Sequence, residues 1–385
     1  MFTLNLLFII TLWRVILFAV AHSAQYILLF SQSFPYASRF LTPSQLPQWI
    51  WGFANFDGVH YLSIAYHGYE AKYIQAFFPL FPIIIRWFSW VVGDEHTLLS
   101  GFFITFIFFY VFLIVFDKLL ELDFYKVVRL RIISWVLVFP TAFFFVALYT
   151  ESLFSLLVIG AFLAARKKKW WVSGFFGALA AATKITGIFL IFPLLYEWIQ
   201  IKKNVHPKKS IRYLFTSLFK SPILYTVPLG LLGYMVYLQI NFNDALYFWH
   251  AQPLFGAGRS GTTIVLLPQV IWRYLKILLT ADFGKMGYWT AVFEVTFFIL
   301  TCSLLLYARK LKVRFSYLLF AWLVVLLPTL SGSLSSMPRY VLQAFPVFIT
   351  LGLGLNTKYS LIFQAISAIF LIVFLAQFIS GIWVA

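Results

Sequence analysis

An all-α, polytopic integral membrane protein with about eleven transmembrane helices is the fold this sequence predicts, and three observations carry it. Hydrophobic residues make up 62% of the 385 and charged residues only 11%, where a soluble domain carries about 25%. Mean hydropathy is +0.91, and apolar runs of roughly 20 residues, long enough to cross a hydrocarbon core, recur along the whole chain. The basic residues fall in short connectors: "RKKK" at 166–169, "KKNVHPKK" at 202–209 and "ARKLKVR" at 308–314. Short Lys/Arg-rich loops mark the cytoplasmic side of a multispanning protein. The same clustering accounts for the net charge of +17 and excludes nucleic acid as the partner; the partner is the bilayer.

Taken in order, the first apolar run, about 6–30, is too long for a signal peptide. It also lacks a small-residue cleavage site, so it reads as a retained span. Further spans are expected at 98–118, 132–149, 151–166, 170–184, 186–200, 221–241, 288–307, 315–331, 340–355 and 359–382. With the N-terminus inside, the connectors 118–131, 166–169, 200–220, 308–314 and 356–358 are all cytoplasmic, and every basic loop agrees. Left outside are 31–97, Thr150, a tight turn near Lys184–Thr186, 242–287, 332–339 and the C-terminus. This scheme requires 78–93 not to cross. It is short for a span at about 16 residues, has Arg86 in its middle and begins near Pro79 and Pro82, so a re-entrant or interface-lying helix is expected. The stretch 262–280 sets Arg273 and Lys276 on an aromatic helix, which suits the membrane surface. The chain 1–385 thus reads as one transmembrane domain with two large outer loops, 31–97 and 242–287.

Cys302, the single cysteine, lies in an apolar span, which excludes an intrachain disulfide and a thiolate metal cluster. No glycine-rich phosphate loop and no G-x-G-x-x-G occur, so those routes to a cytoplasmic nucleotide are absent.

Chemistry is sought among twelve acidic residues. Asp117, Glu121, Asp123 and Glu197 fall at cytoplasmic span ends, where snorkelling or pairing with nearby Lys/Arg explains them. Glu294 begins a span and reads as interfacial. A general base must be a titratable group within reach of the substrate proton, and Asp57 has the richest polar surroundings. Asp57, His60, His67, Glu70 and Lys72 crowd into "FDGVHYLSIAYHGYEAK". On a helix Asp57 and His60 share a face. An amphipathic helix lying on the membrane explains the same pattern, and a metal site on Asp57, His60 and His67 has permissive spacing but few hard ligands.

Two cations interrupt apolar sequence. Lys184 lies in "ALAAATKITGIF" and Arg339 in "SSMPRY". A charge in a membrane segment is costly, so it is expected to be functional or paired. Snorkelling of Lys184 and headgroup anchoring by Arg339 are the plain readings. The sharper one has both face an anion such as a lipid phosphate, Arg by a bidentate grip and Lys as a point charge. Glu151, in "ALYTESLF", could pair with Lys184. In "NFNDALYFWHAQPLFGAGRSG", 241–261, Asp244, His250, Gln252 and Arg259 are interleaved with aromatics, as in sugar sites and also in an interfacial aromatic belt.

The segments "FDGVHYLSIAYHGY", "AFFPLFP", "ALYTESLF", "NDALYFWHAQ" and "PRYVLQAFP" together resemble the PIG-V-type mannosyltransferases, the GPI mannosyltransferase II family and its prokaryotic relatives. The resemblance covers about 10–350, and its most specific parts are the first-loop Asp motif and the Phe-Phe-Pro run. It implies a multispanning glycosyltransferase of the GT-C class. The implied reaction is an inverting transfer of a sugar, mannose in this family, from a polyprenyl-phosphate donor to a glycan or glycolipid acceptor on the extracytoplasmic face. It also implies Asp57 as the base. The chemistry of the residues agrees, with His60 an orienting neighbour and the leaving phosphate expected against Arg339 and Lys184. The familiar Trp-Asp pair is here Phe56–Asp57, which loses an indole N–H. No cofactor is called for, and a divalent metal stays open. The chain is shorter than eukaryotic members, which suits a prokaryotic plasma membrane and an acceptor other than GPI. Another polyprenyl-phosphate glycosyltransferase, an oligosaccharide ligase, and a lipid or solute transporter are the competing readings.

Overall fold

The structure is a computed structural model that describes residues 2–31, 34, 37–205, 207, 210–255 and 258–384. His206, Lys208 and Lys209 of the basic connector, Gly256 and Ala257 of the 242–287 segment, and residues 32, 33, 35 and 36 of the 31–97 segment lie outside the described residues.

Every regular element among the described residues is helical. The principal helices are α1 (Phe2–Ile27), α2 (Asp57–His67), α3 (Leu80–Val92), α4 (Thr97–Leu120), α5 (Lys126–Val138), α6 (Glu151–Arg166) and α7 (Trp170–Thr183). They continue as α8 (Ile191–Val205), α9 (Pro228–Phe242), α10 (Leu267–Thr280), α11 (Met286–Lys310), α12 (Phe315–Leu326), α13 (Pro346–Gly354) and α14 (Thr357–Ile379). Among the described residues, six helical stretches are long and apolar enough to cross a membrane: Leu6–Ile27, Asp94–Leu120, Ile185–Val205, Pro222–Phe242, Met286–Lys310 and Thr357–Ile379. The remaining segments expected to cross form shorter helices. Helix α3 is one turn-rich apolar piece of 13 residues, too short to cross about 30 Å of hydrocarbon alone. It packs on α2 and α4, with Trp87 and Trp90 exposed.

Helices α4, α6, α7 and α9 pack in sequence, α1 lies on α14, and α13 sits between α5 and α11. Small residues permit the closest approaches. A Cβ at Gly230 of α9 would meet the Ala178 carbonyl oxygen of α7, so only glycine fits there.

Two expected spans are interrupted. The run 132–149 was expected to be continuous, but α5 stops at Val138 and the chain from Phe139 to Thr150 is a buried, irregular path with one 3-10 turn at Ala142–Phe145. Pro140 is the cause, since it lacks an N–H and forces the residue before it out of helical geometry; Phe139 is extended (φ −61°, ψ 141°). The path is tolerable because it is enclosed by protein, with Phe143, Phe144 and Phe145 at most 1% exposed. A comparable break at 337–345 precedes α13, where two short turns at Met337–Tyr340 and Val341–Gln343 replace the first part of the expected span.

Helix α6 fixes the polarity of the bundle. Glu151 begins it and Arg166 ends it, a separation of about 24 Å at 1.5 Å per residue. The turn to α7 carries Lys167–Lys169, and α7 returns to Lys184 beside Glu151. At the basic end, acids and arginines tie helices together: Arg166 grips Asp123 at 2.7 and 2.8 Å, Arg129 meets Asp117 and Glu121, and Arg314 meets Glu197. The acids expected at these span ends are thus paired. The buried charges of Asp57, Arg339, Glu151 and Lys184 lie at the opposite end.

Candidate active site

A cavity of about 1490 Å³ opens at the end of the bundle away from the basic connectors. One wall begins with a backbone distortion. Phe56 has φ 57° and ψ −114°, a region that bulky side chains rarely enter. Tyr149 holds it there: its hydroxyl accepts the Asp57 N–H at 3.1 Å and donates to the Asn55 carbonyl at 3.0 Å. Asn55 in turn donates from Nδ2 to the carbonyls of Phe378 and Ile379, at 2.8 and 3.2 Å. The Phe56 ring packs against Phe34, Phe378 and the edge of Trp383. The irregular path after Pro140 is what delivers Tyr149 to this position.

The clamp aims Asp57, the first residue of α2, into a buried chain of alternating charges. Arg339 donates from Nη1 to Asp57 Oδ2 at 2.5 Å and places Nε 3.7 Å from Glu151 Oε1. Lys184 donates to the same Glu151 oxygen at 2.6 Å. Glu151 is 1% exposed and Arg339 9%. Two acids and two bases make the chain formally neutral. The Arg339 guanidinium also lies over the rings of Phe144 and Tyr149, at 5.6 and 5.3 Å. Isolated charges here would be prohibitive; an alternating, hydrogen-bonded set is not.

The charges set the state of the Asp57 carboxyl. Burial alone would raise the Asp57 carboxyl. The Arg339 guanidinium, through charge and hydrogen bond, reverses this with help from His60 and Arg259, and holds Asp57 below its ordinary value. His60, one turn along α2, stacks on Phe77 at 4.7 Å and meets the edge of Phe255 at 5.5 Å. Burial pushes its imidazole down against the pull of Asp57. The site thus holds an ionised carboxylate beside a neutral imidazole at neutral pH.

The facing wall comes from α10, α11 and the serine-rich turn 331–336. Glu294 of α11 accepts a short hydrogen bond from the Tyr274 hydroxyl and the Ser336 N–H at 3.3 Å. The Tyr274 oxygen also accepts the Leu334 N–H at 3.1 Å. Arg259 reaches Gln252 Oε1 and Ser335 Oγ, both at 3.3 Å. Arg273 donates to the carbonyls of Gly258 and Gly332, at 3.0 and 3.1 Å.

Of the residues singled out by sequence, Asp57, His60, Lys184, Gln252, Arg259 and Arg339 line the cavity. Glu151 stands behind Lys184 and Arg339. Asp244 and His250 pair with each other at 2.7 Å, where Asp244 also accepts the Leu246 N–H, and they stand outside the lining. Lys184 and Arg339 each have an acid partner, Lys184 the one expected for it in Glu151. His67 is exposed and meets Phe40 and Tyr66. It forms no metal-holding group with Asp57 and His60 among the described residues. Asn55, Tyr149, Tyr274 and the buried role of Glu294 were not anticipated. The only sequence signals for them were a polar residue two before Asp57 and a tyrosine two before Glu151.

Residues 1–293 match the family described as Mannosyltransferase (PIG-V). The chain belongs to that family. Among curated relatives, the GPI alpha-1,6-mannosyltransferase 2 of Mus musculus is 26% identical over 201 residues, which covers 49% of this chain and 41% of that protein. The Homo sapiens protein of the same name is 27% identical over 212 residues, again 49% and 41%. The chain therefore spans less than half the length of the curated relatives it matches. No solved structure matches the chain. In this PIG-V family member, Asp57, Glu151, Lys184 and Arg259 fall inside the family match, and Arg339 with its serine turn falls beyond it.

Proposed function

We propose that the protein is a membrane mannosyltransferase that moves mannose, with inversion, from a polyprenyl-phosphate donor to a hydroxyl of a glycan or glycolipid acceptor on the extracytoplasmic face. Family membership supports the sugar, and the position of the cavity, opposite the basic connectors, supports the face. The observation that carries the reading is Asp57: a clamped, ionised carboxylate presented to a large cavity with both polar and apolar walls.

In this reading the acceptor oxygen attacks the anomeric carbon as Asp57 takes its proton. The new C–O bond forms as the bond from that carbon to the phosphate oxygen breaks, and the electron pair leaves on the phosphate. Arg339 keeps Asp57 deprotonated and fixes its direction. His60, neutral and stacked between Phe77 and Phe255, borders the same space and positions the base or the acceptor. The neutral charge chain removes any need to reorganise solvent at the carboxylate during transfer.

The test is to incubate the purified protein in lipid nanodiscs with polyprenyl-phosphate mannose, polyprenyl-phosphate glucose and GDP-mannose, each with a panel of hydroxyl acceptors. Consumption of the polyprenyl-phosphate mannose, with product of inverted anomeric configuration, is expected. Direct use of GDP-mannose would overturn the donor. The face is checked with Lys72→Cys and Lys168→Cys in a Cys302→Ser background. Position 72 should react with an impermeant maleimide from outside and position 168 only from the cytoplasm.

A further inference from the structure

We propose that the lipid-phosphate subsite lies on the Arg259 side of the cavity, formed by the Arg259 guanidinium with the hydroxyls of Ser335 and Ser336, and not on the paired cations Lys184 and Arg339. The inference rests on the donor reading above and deepens it.

Charge balance is the first argument. Lys184 and Arg339 are neutralised by Glu151 and Asp57 at 2.6 and 2.5 Å, inside the bundle. Both also line the cavity, but an anion placed there would meet the Glu151 and Asp57 carboxylates at the same point, and the charge of both cations is already balanced. Arg259 has no carboxylate within ion-pair distance among the described residues; its contacts are to Gln252 and Ser335 at a loose 3.3 Å. It is half-buried, lines the cavity, and its charge acts on Asp57 across that space. It is thus a cation near the base whose hydrogen-bonding capacity is not spent.

The second argument is independent of charge. Ser336 is fully buried and lines the cavity, and its hydroxyl has no hydrogen-bond partner among the described residues. Several buried hydroxyls lack a partner, and among the described residues Ser336 is the one of them that lines the cavity. It stands one residue from the Ser335 hydroxyl that Arg259 already reaches. Its backbone is pinned in the left-handed region (φ 65°) by the Ser336 N–H to Glu294. The turn is therefore held in a strained form that presents both hydroxyls.

The third is what lies next to it. Ile277 of α10, Met286 of α11, and Leu327 and Pro328 extend an apolar wall from this turn. Helix α10 exposes Trp272, Leu275 and Leu279 on its outer surface, as suits a helix at the membrane interface. A lipid phosphate held at Arg259 has an apolar path for its chain along these residues. On transfer, the phosphate passes from diester to monoester and gains a negative charge, which Arg259 is placed to stabilise.

The experiment measures binding of farnesyl phosphate to the protein in nanodiscs, with farnesol and inorganic phosphate as separate arms. Farnesyl phosphate should bind, and both other ligands should bind far more weakly. Tight binding of inorganic phosphate would overturn the lipid assignment. Arg259→Gln should weaken farnesyl phosphate at least tenfold, the scale of one charged hydrogen bond. Arg259→Lys should restore most of it and also controls for folding. Asp57→Asn should abolish transfer yet bind farnesyl phosphate at least as well as the wild type. Wild-type affinity in Arg259→Gln, with loss in Arg339→Gln, would overturn the inference and leave the mannosyltransferase reading standing. Transfer from GDP-mannose would remove that reading instead.

Discussion

The two walls of the cavity use charge in opposite ways. On the α2 side, Asp57, Arg339, Glu151 and Lys184 are closed on one another, buried, and locked to the backbone through Tyr149 and Asn55. On the α10–α11 side, Arg259 and Arg273 hold only neutral oxygens, and the one acid, Glu294, is spent on shaping a turn. The first wall is balanced in charge, acid against cation, and the second carries cations with no acid paired to them among the described residues. A preorganised base belongs on the first kind of wall and a bound anion on the second. Counting cations in the sequence could not separate them; only their partners do.

The comparison breaks most visibly at Asp57. Asp57→Asn keeps the shape and removes the proton acceptor, and kcat/KM for transfer should fall about 10³-fold, within the usual range for a general base. Normal expression and membrane insertion should accompany the loss. Full activity would sink the assignment of Asp57. Next in size is Glu151→Gln, which leaves Lys184 buried without its counter-charge and should destabilise the fold by about 3–5 kcal/mol in detergent unfolding. Adding Lys184→Met to Glu151→Gln should recover much of that. If the double variant is as unstable as the single, the neutral-chain account of this wall fails.

The sequence carried the helical, membrane-spanning character because apolar runs and basic connectors are properties of local composition. It misjudged 132–149 and the start of 340–355, where hydropathy stayed high while Pro140 and Pro346 interrupted the helix. Hydropathy measures transfer free energy and is blind to backbone geometry. Asp57, His60, Lys184, Glu151 and Arg339 stood out because charge in apolar sequence is expensive, and the Glu151–Lys184 pair was foreseeable from two helices joined by a short turn. The Asp57–Arg339 pair spans 282 positions, and nothing local in either segment encodes it. Tyr149 looked like one more core aromatic, and Glu294 like an interfacial acid. Each acts through a backbone group that the sequence does not display.

Smaller effects sharpen the contrast. Tyr149→Phe removes the acceptor for the Asp57 N–H and the donor to the Asn55 carbonyl, a loss of roughly 1–3 kcal/mol. If the hydroxyl serves to aim the base, kcat should fall about tenfold with the donor KM unmoved. Glu294→Ala releases the serine turn on the other wall, and the donor KM should rise about three- to tenfold with kcat nearly constant, if the subsite contributes binding and not chemistry. The opposite split in either variant would exchange the roles of the two walls.

The smallest effect is the response to acid, and its sign follows from the base-side wall. The folded protein holds His60 below its ordinary 6.5, so the unfolded chain takes up that proton first as pH falls. Stability from neutral His60 is therefore complete above about pH 6.5 and declines as pH drops through the lower folded value. Asp57, held below its ordinary 3.8, acts in the same direction in a lower window: its contribution is complete above about pH 4 and is lost as pH falls through its own folded value. The Asp57 window lies below about pH 4, so of these two groups thermal melting in detergent between pH 8 and pH 5 reports on His60. His60→Gln should flatten the wild-type decline across that range and leave the steeper loss below it. A decline unchanged in His60→Gln would mean that the imidazole is not held neutral by its burial between Phe77 and Phe255, and the wall that presents the base would then carry one more charge than its geometry supports.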